Sequence, residues 1–278
     1  MTKIKVTKMQ GCGNDFVIID YYEYKKTGLS MIELAKKICN RNFGIGADGM
    51  IIPDTNLNNE TDIAWYFYNS DGTTAQMCGN GMRCFAKYVW DKKLVNKKTF
   101  SVKTFAGIIK PEILDNGFIK VNMGVPVFED EKIPFKGERK IYVKGREFYI
   151  TPVSMGNPHC VILTDDDPMY LAREYGSDIE VHPYFPEKTN TEFVKVISRT
   201  EIEMCVHERG CGITLACGTG ACASVAACVL NNLTEQSVKV NLLGGTVNVE
   251  WHGDMDDPGQ DIFLIGPAQY SFTADYML

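Results

Sequence analysis

The feature that most constrains this chain is a cysteine followed by Gly-x-Gly at the start of a small-residue helical pattern. Residues 217–220 (Cys-Gly-Thr-Gly) lead into residues 221–230, a run of small and apolar side chains that is compatible with a helix. A thiol at that junction faces the positive end of a helix dipole, and glycines leave the neighbouring backbone N–H groups uncovered. The pattern predicts that Cys217 ionises more easily than a free thiol, whose pKa is about 8.5, beside a place where a carboxylate can bind.

The same pattern occurs once more, in the first half of the chain. Residues 78–81 (Cys-Gly-Asn-Gly) precede a second helix-compatible run, and Asn69 stands nine positions before Cys78 as Glu208 stands before Cys217. Matches of this kind in one chain prompt a search for an internal repeat.

Two further matches follow the same order in both halves. Residues 13–16 (Gly-Asn-Asp-Phe) resemble residues 156–159 (Gly-Asn-Pro-His), and each segment stands at or just before an apolar run. Residues 102–107 likewise resemble residues 240–245. Three matches in one order indicate two similar halves, each of which offers one cysteine.

The hydrophobic patterns predict many antiparallel strands and one long helix in each half, which is an α+β fold. We expect two structurally similar domains related as a pseudo-twofold repeat, each an antiparallel or mixed sheet around a central helix, with the active site in the cleft between them. The N-terminal domain is predicted at residues 1–123, with residues 268–278 packing back onto it, and the C-terminal domain at residues 124–267.

Local signals predict four details of this fold. Ser30 and Glu33 form a capping-box pattern for a helix over residues 31–40. Residues 115–117 (Asp-Asn-Gly) are typical of a hairpin turn, and residues 142–150 are predicted as one strand. Residues 44–49 match G-x-G-x-x-G, but a helix precedes them and a strand pattern follows, so we interpret them as a glycine turn and not a dinucleotide site.

Composition excludes several classes of function. The chain has 278 residues and a net charge of −6, which argues against a surface for nucleic acid or anionic membranes. No run of 18 or more apolar residues appears, so we expect no membrane span. The N-terminus enters a strand pattern at once without a signal segment, which predicts a cytoplasmic protein.

The ten cysteines do not show a metal-binding pattern. No pair is spaced C-x-x-C and histidine partners are missing, so we expect no metal. Most of these cysteines are interpreted as small buried side chains. Cys78 and Cys217 differ because glycines flank them where a loop becomes a helix.

Two such thiols facing one small molecule could invert a stereocentre without a cofactor. The N–H groups of Gly79, Asn80, Gly218 and Thr219 would hold its carboxylate, and the adjacent carbon would lie between the cysteines. One thiolate would remove the proton from one face while the opposite thiol returns a proton to the other. Two equal bases suit a reaction that runs in both directions, because each must act as the acid in one of them.

Several other residues are candidates from their positions. Glu208 and Arg209 match the repeat position of Asn69 and Ser70, which favours a site role over a surface ion pair. His159 follows Gly-Asn-Pro, and a histidine beside a thiol can hold its proton. The remaining candidates for ligand contacts are turn asparagines: Asn14, Asn69, Asn157 and Asn190.

The chain resembles the diaminopimelate epimerase family, whose members act without a cofactor. The motifs span nearly the whole sequence: residues 11–16, 44–48, 69–72, 77–81, 156–159, 208–210, 216–221 and 266–268. The resemblance implies that Cys78 and Cys217 are the acid/base pair and that the product serves lysine and peptidoglycan-precursor biosynthesis. It also implies a homodimer.

The resemblance extends to the substrate contacts. It implies that Asn14, Asn69, Asn157, Asn190, Glu208 and Arg209 hold diaminopimelate, and that His159 and Glu208 adjust the pKa values of the thiols. Arg209 and the asparagines suit a distal carboxylate, and Glu208 suits the distal ammonium. Some family members carry Gln where Gly49 stands here, so that side-chain contact must be absent or supplied by water.

Three alternatives fit parts of the pattern less well. A proline-type racemase would not need Glu208, Arg209 and four asparagines for a second amino acid head. A non-catalytic amino-acid-binding protein would not need paired thiols. A thiol–disulfide oxidoreductase would want C-x-x-C and would leave the carboxylate site unexplained.

Overall fold

The structure of the protein is a computed structural model, and it describes residues 2–55, 60–74 and 78–278. By its internal contacts the chain divides into two compact units: unit 1 is Met1–Val121 with Gly266–Leu278, and unit 2 is Asn122–Ile265. Within the described ranges, no helix has the length and apolar character needed to cross a membrane.

The elements alternate between short strands and a few helices. The helices are α1 (Tyr21–Lys25), α2 (Met31–Ile38), α3 (Gly79–Asp91), α4 (Pro168–Glu180) and α5 (Gly218–Leu230), with a 3-10 turn at Asp130–Lys132. The strands are β1 (Lys3–Gly11), β2 (Asn14–Ile18), β3 (Gly49–Asp54), β4 (Ile63–Asn69), β5 (Val102–Thr104), β6 (Gly107–Ile109), β7 (Glu112–Ile113), β8 (Ile119–Asn122), β9 (Lys140–Val143), β10 (Arg146–Tyr149), β11 (Thr151–Ser154), β12 (Pro158–Leu163), β13 (Asn190–Ser198), β14 (Glu201–Glu208), β15 (Gly212–Ile213), β16 (Ser237–Leu242), β17 (Gly245–Trp251), β18 (Ile262–Gly266) and β19 (Gln269–Met277).

The two units share one sheet topology. In unit 1 the strand order is β19-β1-β2-β3-β4-β5-β6, and in unit 2 it includes β11-β12-β13-β14-β16-β17-β18. From β1 to β6 the neighbours alternate antiparallel and parallel. From β11 to β17 they alternate in the same way, apart from the short β15. The α+β class and the internal repeat are therefore confirmed.

In each unit one long helix is buried over most of its surface, α3 in unit 1 and α5 in unit 2; unit 2 also has α4, which is equally long at 13 residues but has exposed residues on one face. In α3 every residue from Gly79 to Phe85 is buried, and the Phe85 ring lies edge-on to Trp65 with centroids 5.6 Å apart. In α5 every residue from Gly220 to Val229 is buried. A helix that is apolar on all faces belongs inside a domain, which explains the small side chains of α5. The third residue of each helix, Gly81 or Gly220, is buried; Cys217 is buried as well, whereas Cys78 is half-buried.

The local predictions have mixed outcomes. The capping box is confirmed, since Ser30 accepts from the Glu33 N–H while Glu33 accepts from Ser30, although α2 ends at Ile38. The turn between β7 and β8 is confirmed, with Gly117 at φ +81°.

The single strand predicted at residues 142–150 is wrong. The chain turns at Lys144 and Gly145, both with positive φ, and β9 pairs with β10 as a hairpin. The sequence Lys-Gly lacks the usual Asn-Gly or Asp-Gly signal of such a turn, which is why the pattern looked continuous. The short helix α1 was also not predicted.

The glycine-rich segment is confirmed as a turn and not a nucleotide-binding loop. It follows α2 and leads into β3, and the Gly46 N–H donates to the carbonyl of Ile38 at the end of α2. A Cβ at Gly44 would lie 2.3 Å from the Lys37 carbonyl oxygen, so any larger residue at this position would clash with the end of α2.

Removing the cap of α2 should destabilise the protein. For Ser30→Ala we expect the free energy of unfolding in urea to fall by about 1 kcal/mol, because the Glu33 N–H loses its acceptor. Ser177→Ala, an exposed serine inside α4, is the matched control and should change stability by a few tenths at most. Equal effects of the two changes would contradict this account of the cap.

Candidate active site

Cys217 is the N-cap of α5, as the sequence predicts. Its backbone is extended, with φ −118° and ψ 112°, and its carbonyl accepts the first helical bond from the N–H of Ala221. The N–H of Gly220 donates to the Cys217 Sγ over 3.3 Å, and the Thr219 Oγ1 lies 3.5 Å from the same sulfur. The thiol thus takes the place that a serine or aspartate oxygen fills in an ordinary cap.

Cys78 is placed in the same way at the start of α3. The Gly81 N–H donates to its Sγ over 3.4 Å, and the Met82 N–H donates to its carbonyl. The Oδ1 of Asn14 lies 3.9 Å from the sulfur. Residues 75–77, including Met77 of the sequence motif, lie outside the described residues.

The side chain of Asn14 is oriented by a cluster of charged and polar groups. Its Nδ2 donates to Asp48 over 2.6 Å, and its Oδ1 accepts from the Nδ2 of Asn80 over 3.3 Å. Arg41 donates to both Asp48 and Asp15, and so holds the carboxylates in place. The amide oxygen of Asn14 is therefore fixed on the side of Cys78.

A buried arginine supports the turn that carries Asn14. Arg83 of α3 is fully buried, and its Nε donates to the carbonyl of Pro267 over 3.1 Å. Its Nη2 lies 3.8 Å from the sulfur of Cys12, in the turn between β1 and β2. Cys12 and Gly13 both adopt positive φ there.

The other candidate of unit 1 makes different contacts. The Nδ2 of Asn69, at the end of β4, donates to the Thr73 Oγ1 over 3.0 Å. Gly49 pairs with Asn69 across β3 and β4, and a Cβ at Gly49 would come within 2.7 Å of the Phe67 ring. The Phe67 ring therefore occupies the space that a glutamine at this position would need.

In unit 2, His159 and Asn157 are linked behind Cys217. The Nε2 of His159 lies 3.1 Å from the Asn157 Oδ1, and the Asn157 Nδ2 donates to the Thr219 Oγ1 over 3.4 Å. The Nδ1 of His159 lies 2.7 Å from the Oε1 of Glu192, and both of these side chains are fully buried.

Asn190 and Arg209 form a second group in unit 2. The Asn190 Oδ1 accepts from the backbone N–H of Arg209, and its Nδ2 donates to the carbonyl of Pro158. Arg209 donates through Nη1 to the carbonyl of Glu187. The next N–H, that of Gly210, donates to the carboxylate of Glu180 over 3.1 Å. These contacts fix the loop that carries Arg209.

The pKa of Cys217 corrects one expectation from the sequence. Burial raises the pKa of this thiol well above its ordinary value, and the charges of Glu208 and Glu192 raise it further. The contacts from Thr219 and from the Gly220 N–H lower the pKa, as expected at a helix N-terminus, but they are the smaller effects. The sequence could place the helix but not the carboxylates around its first turn.

Glu208 approaches the same sulfur from β14. Its Oε1 accepts from the hydroxyl of Thr214, which fixes the carboxylate on the segment just before Cys217. Its negative charge acts on the Cys217 pKa, in line with the role that the resemblance implies. Whether it also holds a substrate ammonium stays a prediction.

The structure joins several of the predicted site residues into two groups, one around each cysteine. Asn14 and Asn80 lie with Cys78, and Asn157, His159 and Thr219 lie with Cys217. Gly79 and Gly218 are the first helical residues after the cysteines, where N–H groups have no acceptor within the helix.

Three supporting carboxylates were missed: Asp48, Glu180 and Glu192. One sequence signal could have revealed Glu192: it is a charged residue at the start of a strand pattern that continues with Phe193 and Val194.

Comparison with known proteins assigns the family. A family model described as diaminopimelate epimerase matches residues 6–129 and 151–271. A diaminopimelate epimerase of Halothermothrix orenii is 43% identical over 99% of both chains, and one of Carboxydothermus hydrogenoformans is 43% identical over 98% of both.

This chain belongs to the diaminopimelate epimerase family. Members of this family are isomerases that act on a small molecule. The motifs at both cysteines fall inside the matched ranges, so the resemblance stated from the sequence is confirmed.

Solved structures of other families share the epimerase fold. A phenazine biosynthesis protein of the PhzF family from Bacillus anthracis aligns with a TM-score of 0.76 at 17% identity over 100% of both chains. A hydroxyproline epimerase from Agrobacterium vitis aligns with a TM-score of 0.65 at 13% identity, over 99% of this chain and 91% of that one. At these identities the likeness shows the fold alone.

The raised pKa of Cys217 should be visible in its alkylation by iodoacetamide. We expect the pH of half-maximal alkylation rate, followed by peptide mass spectrometry, to lie above the value of about 8.5 for an unfolded thiol. Glu208→Gln should move this midpoint to lower pH, because it removes a negative charge but keeps an acceptor for Thr214.

The matched control is Glu203→Gln, an exposed residue of the same strand, which should leave the midpoint of Cys217 unchanged. The raised pKa also makes the stability of the fold depend on pH. Since folding favours the neutral thiol, the contribution of Cys217 to the free energy of unfolding is fully present below the ordinary thiol pKa and is lost as pH rises above it. A midpoint at or below that of the urea-unfolded chain would contradict this account.

Proposed function

We propose that this chain interconverts LL- and meso-diaminopimelate by proton transfer at the α-carbon between Cys78 and Cys217, without a cofactor. The observation that carries the proposal is the matched placement of the two thiols. Each is the N-cap of a long buried helix, and each Sγ accepts the N–H of the third residue of that helix.

The proposal assigns the carboxylate next to the reacting carbon to the helix N-termini. The N–H groups of Gly79, Asn80, Gly218 and Thr219 are the donors, and the negative charge that develops as the α-proton leaves is stabilised by them. A preorganised donor in a dry site is worth about 3–4 kcal/mol of transition-state stabilisation. That contribution matters because the α-proton of an amino acid is very weakly acidic.

The two thiols then have complementary states. Since the Cys217 pKa is raised, this residue is a neutral thiol at pH 7 and can act as the acid when Cys78 is the base. In the reverse direction Cys217 must lose its proton, and the ammonium group of a bound amino acid offsets the repulsion by Glu208 and Glu192. A two-base mechanism requires this exchange of roles.

The distal amino acid head is assigned to the polar residues of both units. Arg209, whose loop is held by Asn190 and Glu180, is proposed to bind the distal carboxylate together with Asn14, Asn69, Asn157 and Asn190. Glu208 is proposed to bind the distal ammonium, with its charge also acting on Cys217. A second charged head is what distinguishes diaminopimelate from proline.

We further propose that the enzyme is a cytoplasmic homodimer that serves lysine and peptidoglycan-precursor biosynthesis. The strand β19 supports an interface between copies, because it lies at the edge of its sheet and exposes Phe272. Long edge strands with exposed apolar side chains tend to pair with another chain.

Replacing either cysteine tests the function directly. We expect Cys78→Ser and Cys217→Ser each to reduce the rate of conversion of LL- to meso-diaminopimelate by about a hundredfold or more, because a serine hydroxyl is a poor proton donor and acceptor here. The isomers are separated by chiral chromatography. Cys211→Ser, at an exposed cysteine near the site loop, is the control and should keep wild-type activity.

Near-normal activity in either variant would contradict the two-thiol proposal. Racemisation of L-proline in preference to diaminopimelate would instead assign the chain to a proline-type racemase. Binding of diaminopimelate without conversion by the reduced wild-type protein would indicate an amino-acid-binding protein.

A further inference from the structure

A buried carboxylate lies behind Cys217, and apart from the effect of its charge on the thiol it has no role in the function proposed above. Glu192 is the third residue of β13, and its side chain is fully buried. Burying a charged carboxylate in such a place costs a large desolvation free energy unless the group is paired or protonated. Its Oε2 has no hydrogen-bond partner in the described parts of the chain, so its only strong contact is made through Oε1.

That contact is with His159. The Glu192 Oε1 and the His159 Nδ1 are 2.7 Å apart, on the neighbouring parallel strands β13 and β12. Helix α5 begins directly over the pair: a Cβ at Gly220 would come within 2.7 Å of the same oxygen and 3.2 Å of the Cys217 Sγ. Glycine at position 220 therefore lets the first helical turn, with its thiol, lie against this carboxylate.

From His159 a continuous set of contacts leads to the thiol. The His159 Nε2 meets the Asn157 Oδ1 at 3.1 Å, and the Asn157 Nδ2 meets the Thr219 Oγ1 at 3.4 Å. The Thr219 Oγ1 in turn lies 3.5 Å from the Cys217 Sγ. The imidazole is thus held at both nitrogens, and one of its neighbours is a proposed substrate contact.

The chemistry of these atoms fixes where the protons are. A carbonyl oxygen of an asparagine only accepts hydrogen bonds, so the His159 Nε2 must carry a proton. The contact on the other side of the ring then needs one more proton, shared between Nδ1 and the Glu192 carboxyl group. Without that group, Nδ1 would be a buried atom with no partner, and the ring would keep only one of the two contacts that fix its orientation.

We propose that Glu192 is a positioning residue of the epimerase site: by bonding to Nδ1 it fixes the ring of His159, whose Nε2–H orients Asn157 and, through Thr219, the thiol of Cys217. The inference rests on the proposed function, because it assigns Glu192 to the reaction of Cys217. It predicts that the hydrogen bond at position 192, more than the charge or the volume, sets the activity.

Two replacements separate hydrogen bonding from volume. In Glu192→Gln the new amide can donate to Nδ1, so we expect activity within a few-fold of wild type. Glu192→Met fills the same space without a hydrogen bond, and we expect kcat for diaminopimelate to fall by about tenfold or more, because His159 is no longer fixed at Nδ1; tenfold corresponds to about 1.4 kcal/mol of transition-state stabilisation. Thr191→Val, a buried neighbour on β13 whose Oγ1 has no partner among the described residues, is the control and should keep wild-type kcat.

Nitrogen-15 NMR of labelled histidine gives a readout that does not depend on activity. We expect the His159 Nε2 to be protonated in all three proteins at pH 7 to 8, and the Nδ1 resonance to move to the position of an imine nitrogen without a hydrogen bond in Glu192→Met alone. The chain has four histidines, and the His159 signal is assigned by its absence in a His159→Gln sample.

The outcomes distinguish this inference from the function on which it rests. Equal kcat in wild type and Glu192→Met, equal losses in the Gln and Met variants, or an unprotonated Nε2 in the wild type would each overturn the role of Glu192. A wild-type protein that shows the expected NMR pattern but does not convert diaminopimelate would overturn the proposed function. If Glu192→Met does not fold, as judged by circular dichroism, the NMR pattern of wild type and Glu192→Gln decides alone.

Discussion

The hydrogen bond from a backbone N–H to a cysteine sulfur at the start of a buried helix is the contact on which this site depends. It occurs at Gly81 to Cys78 and at Gly220 to Cys217, over 3.4 and 3.3 Å. The bond requires a cysteine at the N-cap, and glycine at the third helical position leaves room beside the sulfur: a Cβ would lie 3.4 Å from the Cys78 Sγ at Gly81 and 3.2 Å from the Cys217 Sγ at Gly220. Both helices are buried along most of their length, from Gly79 to Ala86 in α3 and from Gly220 to Val229 in α5. The sheet topology of each unit serves to hold one such helix.

Placing a thiol in this position does not by itself make it acidic. For Cys217 the helix N-terminus and Thr219 favour the thiolate, while burial and two carboxylates oppose it, and the opposing effects are larger. A dry site is needed to make the N–H donors effective in stabilising an enolate-like charge. The same dryness disfavours the thiolate. A bound substrate with an ammonium group can restore the balance, so the site is adapted to a charged amino acid.

Much of this arrangement could be predicted from the sequence, since it depends on local patterns. Cysteine-glycine junctions before helix-compatible runs located both helix N-termini, and the Ser30–Glu33 pattern located α2. The hairpin at Lys144 and Gly145 could not be predicted, because positive φ at a lysine has no clear signal. The carboxylates of Asp48, Glu180 and Glu192 were missed for another reason. Each acts on a residue distant in sequence: strand pairing brings Asp48 to Asn14 and Glu192 to His159, and helix α4 brings Glu180 to Gly210.

The most direct test of the account is proton NMR of the reduced protein with LL-diaminopimelate in D2O, with L-proline and L-glutamate in parallel. Because one thiol removes the proton and the other delivers one, the account predicts that deuterium appears first in the meso product, while unreacted LL isomer keeps its α-proton at early times. Proline and glutamate should not exchange. Deuterium entering the LL isomer as fast as the meso isomer forms would show a single base acting on one face, and would contradict the role of two opposed cysteines.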